Sequence, residues 1–409
     1  MPLTDYKVQR RIAEGRFGTV FAATNTVTGE AVAVKKIRAR KNLPGLDFDP
    51  WYKSAERERD VLVAVRHENI IELLEHSVEP GGVMAILIYP FLAWDLATVL
   101  ERHKPLAEGQ TKTLLAMLLA GLAHLHGSGV VHRDLKPPNI LVDGVSGQLK
   151  LADFGSARFV PGTPETPEAS ASSGDGLMTR DVCTRWYKSP EMLFGSVDYS
   201  FGVDLWATGC TFAELVSVAG DALFPGGSDL EQLCLIFQAL GTPDEGDWPE
   251  LRQLPDYHKV SFKPRAPNRP DLAPLASASA QDLLWSFLRL NPRQRLGARE
   301  ARAHEFFLGG AEAVPAQAIV AGLVAETGHH QAETNEGSFS PIGLSEFGSD
   351  CSGFSFPAAD VLERVPIETT TCGLWDEAAG LPEPSSEPPP GRRTPTPPRS
   401  GVHKLKAAR

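Results

Sequence analysis

One short stretch constrains this chain more than any other: His132-Arg-Asp134-Leu-Lys136-Pro-Pro-Asn139. It presents a carboxylate, an ammonium and a side-chain amide on a single loop. Asp134 is suited to orient and deprotonate a hydroxyl, Lys136 to steady a transferring phosphate, and Asn139 to hold Mg²⁺ through its amide oxygen. Chance polar loops rarely carry that order. Leu151-Ala-Asp153-Phe-Gly155 follows, after a strand-like run over Gln148–Leu151. Asp153 is a hard oxygen ligand suited to Mg²⁺, and Gly155 permits a sharp backbone change. Asp-Phe-Gly alone means little. Placed shortly after the first loop, it puts two metal ligands beside one site.

Three further groups of residues fit the same chemistry. Ile12-Ala-Glu-Gly15-Arg-Phe-Gly18-Thr-Val20 sets two glycines in a turn between predicted strands, where backbone N–H groups meet phosphate oxygens with no Cβ in the way. On its own a plain turn is the better explanation. Ala33-Val-Lys35 puts a lysine inside an apolar strand, which needs a partner. The helical pattern behind it offers Glu56 and Glu58, and Glu58 shares the sheet-facing side with Leu62 and Val65, so Lys35 is expected to pair with Glu58. Finally, Trp186-Tyr-Lys-Ser-Pro-Glu191, Asp204 and Arg295 read as structural. Glu191 and Arg295 would form a buried ion pair, and Asp204 would accept backbone N–H bonds from the His132–Asn139 loop.

The chain's 409 residues exceed one ordinary core, so at least two packed units are expected. From Tyr6 to about Pro90 the pattern is strand-like, with runs at Val8–Ala13, Thr19–Ala23, Ala31–Ile37, Ile71–Glu75 and Met84–Tyr89 and one helix over Ser54–Val65. From Leu92 to Phe307 helical spacing dominates, at Thr111–His126, Phe201–Leu215, Asp229–Leu240 and Ala280–Leu290. From residue 308 to 409 Ala, Ser, Glu and Pro prevail without apolar periodicity, and a disordered low-complexity tail is expected. The formal net charge of −11 argues against a general nucleic-acid binder. No apolar run reaches membrane-helix length. The five cysteines form no C-x-x-C pair, and the start lacks a signal-peptide pattern. An intracellular protein of the nucleus or cytoplasm is therefore expected, with neither nucleic acid nor membrane as partner.

Taken together, residues 6–307 resemble the eukaryotic protein kinases. Within them the chain is similar to the cyclin-dependent kinases, through Val32-Ala-Val-Lys-Lys-Ile-Arg38, Thr184-Arg-Trp-Tyr-Lys-Ser-Pro-Glu191, and Leu223-Phe-Pro-Gly-Gly followed by Leu240-Gly-Thr-Pro. Leu254–Phe262 looks most like the branch of the cell-cycle-related and CDK-activating kinases. The resemblance implies an α+β, bilobal fold: a small β-rich N-lobe with one regulatory helix (6–91) and a larger, mainly helical C-lobe (92–307). It also implies ATP and Mg²⁺ as cofactors and transfer of the γ-phosphate to Ser or Thr of protein substrates. Tyr89 matches the gatekeeper. Pro90 and Leu92 would meet the adenine by their backbone, Asp95 the ribose, and Val20, Ala33 and Leu141 would sandwich the ring, with Ile12, Gly15 and Gly18 over the nucleotide. Thr179 matches the activating phosphothreonine, whose clamp would be Arg57, Arg133 and Arg158. Thr184 matches the threonine bridging Asp134 and Lys136.

Several departures bear on regulation. Arg16 and Phe17 stand where many cyclin-dependent kinases carry inhibitory phospho-acceptors, so that route is expected to be absent. Ala13 replaces the first flap glycine. Trp51–Glu58 replaces the usual cyclin-binding helix sequence, leaving open whether a cyclin or another subunit activates the chain. Lys188 replaces the arginine of the proline-directed pocket. The activation segment carries an extra Pro/Ser/Gly-rich stretch with Thr163 and Thr166 before prolines. A pseudokinase scaffold, the alternative, would require loss of Lys35, Asp134, Asn139 or Asp153, and all four are present.

Overall fold

The computed structural model describes residues 5–15, 18–38, 50–78, 84–160, 185–197 and 200–321. Arg16, Phe17, Thr163, Thr166, Thr179 and Thr184 lie outside the described residues, as does the chain from 322 onward.

Alternating side chains build the first sheet. Its strands β1 (Tyr6–Gly15), β2 (Gly18–Asn25), β3 (Ala31–Arg38), β4 (Glu75–Val78) and β5 (Met84–Pro90) run antiparallel in the order β1-β2-β3-β5-β4. Val20 lies opposite Lys35, Ala33 opposite Tyr89, and Lys35 opposite Leu87. Residues two apart along a strand share a face, so Val20, Ala33, Lys35, Leu87 and Tyr89 all look one way. The opposite face gathers Tyr6, Ala23, Val32, Val34, Ile86 and Ile88 into a small core of its own. Helix α1 (Pro50–Ala64) lies along the main core through Ala55, Val61 and Leu62. Glu58 falls on that same buried stripe at helical spacing and is 1% exposed.

The strand expected at Ile71–Glu75 is displaced. Ile70 and Ile71 are buried, and the Ile71 N–H donates to the Leu151 carbonyl (2.8 Å) while the Leu151 N–H donates to Asn69 (2.9 Å). This apolar pair docks on the lower lobe first. The chain rejoins the sheet where the Leu74 N–H meets the Ile88 carbonyl.

The lower lobe is helical. It contains α2 (Leu96–His103), α3 (Glu108–Gly127), α4 (Pro190–Leu193), α5 (Gly202–Val216), α6 (Asp229–Leu240) and α7 (Ala278–Phe287). Leu114, Leu115, Leu118, Leu122 and Leu125 of α3 are fully buried, and α5 is buried on every side from Gly202 to Leu215. The helix expected over Ala280–Leu290 starts two residues earlier, where the Ser277 hydroxyl caps it, and closes at Leu288. Short ladders lie at the junction of the lobes: β6 (Trp94–Asp95) with β8 (Ile140–Val142) and β9 (Leu149–Leu151), and β7 (Val130–Val131) with β10 (Arg158–Phe159).

Packing continues past Phe307 into the stretch expected to be low-complexity tail. After α8 (Ala298–Ala301) and α9 (Glu305–Leu308) the chain runs back along the start of α3. Lys112 donates to the carbonyls of Gly309 and Ala311, and the Thr113 hydroxyl to that of Val314 (2.7 Å). A helical turn at 316–321 then buries Ile319 and Val320 to 2% exposure. Gly109 and Gly147 permit this approach, because a Cβ at either would strike the carbonyl of Glu312 or Ala316. Val314, Ile319 and Val320 in an Ala-rich stretch are too few to show as a period, yet they add to the seat made by the carbonyls.

Candidate active site

The sheet and α1 deliver the first half of the site. Lys35 Nζ lies 2.7 Å from Glu58 Oε2 and 2.7 Å from Asp153 Oδ1. The expected Lys35–Glu58 pair is present, and the second contact ties the two lobes together. Burial pulls the Lys35 pKa down, but Asp153 and Glu58 outweigh it and hold the ammonium above the ordinary lysine range. Burial also opposes charge on Asp153, yet Lys35 keeps that carboxyl below the usual carboxylate range. Glu58 is pushed up by burial. Its other oxygen accepts a 2.7 Å hydrogen bond from the Tyr89 hydroxyl.

The loop after β7 supplies the second half. Asp204, on the first turn of α5, is 1% exposed. As expected, it accepts the backbone N–H groups of His132 and Arg133, both at 2.8 Å. His126 Nε2 adds a third contact at 3.0 Å. The His132 ring reaches the Ala152 carbonyl (3.0 Å) and lies against Phe154. The Ala152 N–H returns to the Asn139 carbonyl at 2.9 Å. The Asn139 amide donates to the Asp134 carbonyl (2.7 Å) and carboxylate (3.1 Å), and Lys136 Nζ stands 3.2 Å from Asp134 Oδ2. Asp134 is 5% exposed, and burial raises its pKa above the ordinary value. Among the described residues only Arg133 (φ 69°) and Asp153 (φ 62°) are non-glycine residues in the left-handed region. Strained backbone concentrated in this way marks a site whose geometry the surroundings enforce.

Lys35, Asp134, Lys136, Asn139 and Asp153 are thus joined by one continuous set of contacts. Ile12, Val20, Ala33, Leu92 and Leu141 are half-buried, and Ala33, Leu92 and Leu141 pack on the main core. Asp95, expected at the ribose, is 7% exposed and caps α2 through the Thr98 N–H at 2.7 Å. Arg133 Nε donates to the Ser156 carbonyl and Arg57 to that of Gly155 (3.5 Å), while Arg158, on β10, pairs through its backbone with Val131 of β7. The Arg57 and Arg133 guanidiniums therefore reach the segment that follows Asp153, and Arg158 lies within it. Glu191 and Arg295 form the expected buried pair.

Sequence reasoning missed three contributors: His126, the His132 ring and the Tyr89 hydroxyl. His126 closes on a residue of a distant helix, and a helix-end histidine is ordinarily a cap, so no local signal marks it. For Tyr89 the strand register was the available clue, since it shares a face with Lys35.

Comparison with known proteins agrees with this geometry. The protein kinase domain family matches residues 6–307. Cyclin-dependent kinase 20 of Mus musculus is 44% identical over 308 residues, covering 75% of this chain and 83% of that protein. The Homo sapiens protein of the same name is 43% identical over 308 residues, with the same coverage. Cyclin-dependent kinase D-1 of Oryza sativa subsp. japonica is 40% identical over 304 residues, covering 74% of this chain and 66% of that protein.

Proposed function

The chain belongs to the protein kinase family as a serine/threonine kinase of the cyclin-dependent kinase type, and on that footing we propose how its side chains divide the reaction. Asp134 orients a Ser or Thr hydroxyl of a protein substrate and takes its proton. The hydroxyl oxygen bonds to the γ-phosphorus of ATP, the bond to the β-phosphate oxygen breaks, and ADP leaves. Lys136, beside Asp134, steadies the transferring group, and Lys35 holds the phosphates of the nucleotide. Positioning and charge stabilisation carry most of the rate.

The donor set fits Mg²⁺. Asp153 keeps its charge and a side chain 32% exposed, and Asn139 turns its amide N–H toward Asp134, which leaves its oxygen to face a cation. Bound there, Mg²⁺ would neutralise phosphate charge. Val20, Ala33 and Leu141 would enclose the adenine, with Ile12, Gly15 and Gly18 above the phosphates, Pro90 and Leu92 at the base edge, Asp95 near the ribose, and Thr184 bridging Asp134 and Lys136. Phosphorylation of Thr179 by an upstream kinase would engage Arg57, Arg133 and Arg158. The relatives' names support a cyclin as partner. The buried free thiol of Cys210 suits a reducing compartment, nucleus or cytoplasm.

The observation that carries this reading is Lys35 held at 2.7 Å by both Glu58 and Asp153 across the two lobes. Purified protein given labelled ATP, Mg²⁺ and a protein substrate should transfer phosphate, and Asp134→Asn should abolish transfer. Chelating the metal should stop the wild type. Equal turnover by wild type and Asp134→Asn would refute the roles assigned.

A further inference from the structure

We propose that Tyr89 is a positioning residue of the transfer reaction, its hydroxyl fixing the second oxygen of Glu58 and, through Glu58, the seat of Lys35. The inference rests on the kinase assignment and deepens it. Nothing in the sequence resemblance required it, since the gatekeeper position implied a side chain facing the nucleotide.

The geometry is a chain of three short contacts. Tyr89 Oη to Glu58 Oε1, Glu58 Oε2 to Lys35 Nζ, and Lys35 Nζ to Asp153 Oδ1 are each 2.7 Å. Every atom along it belongs to this one chain. Strand register explains why Tyr89 reaches: it lies opposite Ala33, two residues from Lys35 on the same face, turned toward α1. Tyr89 is 7% exposed and Glu58 1% exposed, so water competes little for the bond.

Both oxygens of the Glu58 carboxylate are engaged. One oxygen takes Lys35 and the other takes Tyr89. A phenylalanine at 89 would leave a buried carboxylate oxygen without its donor, and such an oxygen is costly to leave unpaired. The group relieves that cost by turning outward to water, and it is Glu58 in its inward place that holds Lys35. Burial and the neighbouring Glu58 also keep the phenol protonated far above neutral pH, so it remains a donor. α1 has a second tether one turn earlier on the same face, where the Ser54 hydroxyl donates to the Gly155 carbonyl (3.2 Å). Tyr89 therefore acts on the orientation of Glu58, while Ser54 ties the helix to the segment after Asp153.

The test is steady-state kinetics on the full chain with ATP·Mg²⁺ and a protein substrate, comparing wild type, Tyr89→Phe, Glu58→Ala and the double variant. Tyr89→Phe keeps the ring and its packing. Its kcat should fall about tenfold, the value of one lost hydrogen bond to a charged group. KM for ATP should change less than kcat, because Tyr89→Phe keeps the ring at the nucleotide side. In the Glu58→Ala background the same substitution should cost nothing further. The proposal is overturned by an unchanged kcat, by a loss falling wholly on KM, or by an equal loss in both backgrounds. A wild type that transfers no phosphate would overturn the kinase assignment as well, which separates the two failures.

Discussion

Gly18 stands where any side chain would run into the carbonyl of Lys36 on the neighbouring strand. Its φ of 143° is also closed to L side chains. Gly15, its cross-strand partner, has nothing nearer to a hypothetical Cβ than the Gly18 carbonyl at 4.0 Å. The two flap glycines therefore serve different ends. Gly18→Ala should lower stability by about 1–3 kcal/mol, the cost of holding a residue in a disfavoured conformation. Gly15→Ala should leave stability within about 0.5 kcal/mol and alter only nucleotide affinity. Thermal unfolding beside ATP titration distinguishes them, and equal destabilisation by both would contradict this division.

The Arg295 guanidinium grips Glu191 with two parallel bonds, 2.6 Å and 2.7 Å, and also donates to the carbonyls of Gly202 and Leu290. Both side chains are at most 4% exposed. Removing one partner strands a buried charge, so Glu191→Met or Arg295→Met should each cost about 3–5 kcal/mol of stability. Replacing both by methionine should cost less than the sum of the single changes, since neither charge is then left alone. Urea unfolding of the four proteins reads the difference, and strict additivity would show that the pair is not coupled.

What the sequence made legible follows from how far apart the interacting residues lie. Asp134, Lys136 and Asn139 share one short loop, so their order alone carried the chemistry. The Lys35–Glu58 pair was reachable because helical and strand periods fix which faces meet. The link from His126 to Asp204 joins the end of α3 to the start of α5, and no local pattern encodes it. Ile71 reads as the start of a strand because apolar β-branched residues favour strands, but its backbone N–H found the Leu151 carbonyl of β9 instead. Residues 309–321 escaped notice because their seat is made largely by carbonyls accepting from Lys112 and Thr113, and a carbonyl acceptor leaves no trace in residue type.

That seat makes a prediction about where the folded unit ends. Ile319 and Val320 are each 2% exposed, and burying a side chain of that size stabilises by about 1.5–3 kcal/mol. A chain ending at 307 should be less stable by about 3–6 kcal/mol than one ending at 321. It would also leave Lys112 with its ammonium deprived of two carbonyls. Ile319→Ala with Val320→Ala in the longer chain should reproduce much of the loss. Matching unfolding midpoints for the two lengths would show that the strap contributes nothing.

A last expectation concerns pH and lies away from the nucleotide cleft. Glu214, near the end of the fully buried helix α5, is 5% exposed, and its Oε1 has no hydrogen-bond partner among the described residues. Burial drives its carboxyl from the ordinary 4.5 up to about 8, Tyr187 pulls the other way with a hydrogen bond, and Asp221 adds repulsion. Below pH 4.5 the folded and unfolded chains hold this proton alike. Between 4.5 and about 8 the unfolded chain releases it and the folded chain keeps it. Stability therefore falls as pH rises through that window, by up to about 1.4 kcal/mol per pH unit. Glu214→Gln removes the titration while keeping the shape, so it should flatten the slope and leave the variant more stable than wild type at pH 8. Urea unfolding of both proteins at pH 5, 6, 7 and 8 measures this, and parallel stability curves would mean that Glu214 is ionised in the fold at neutral pH.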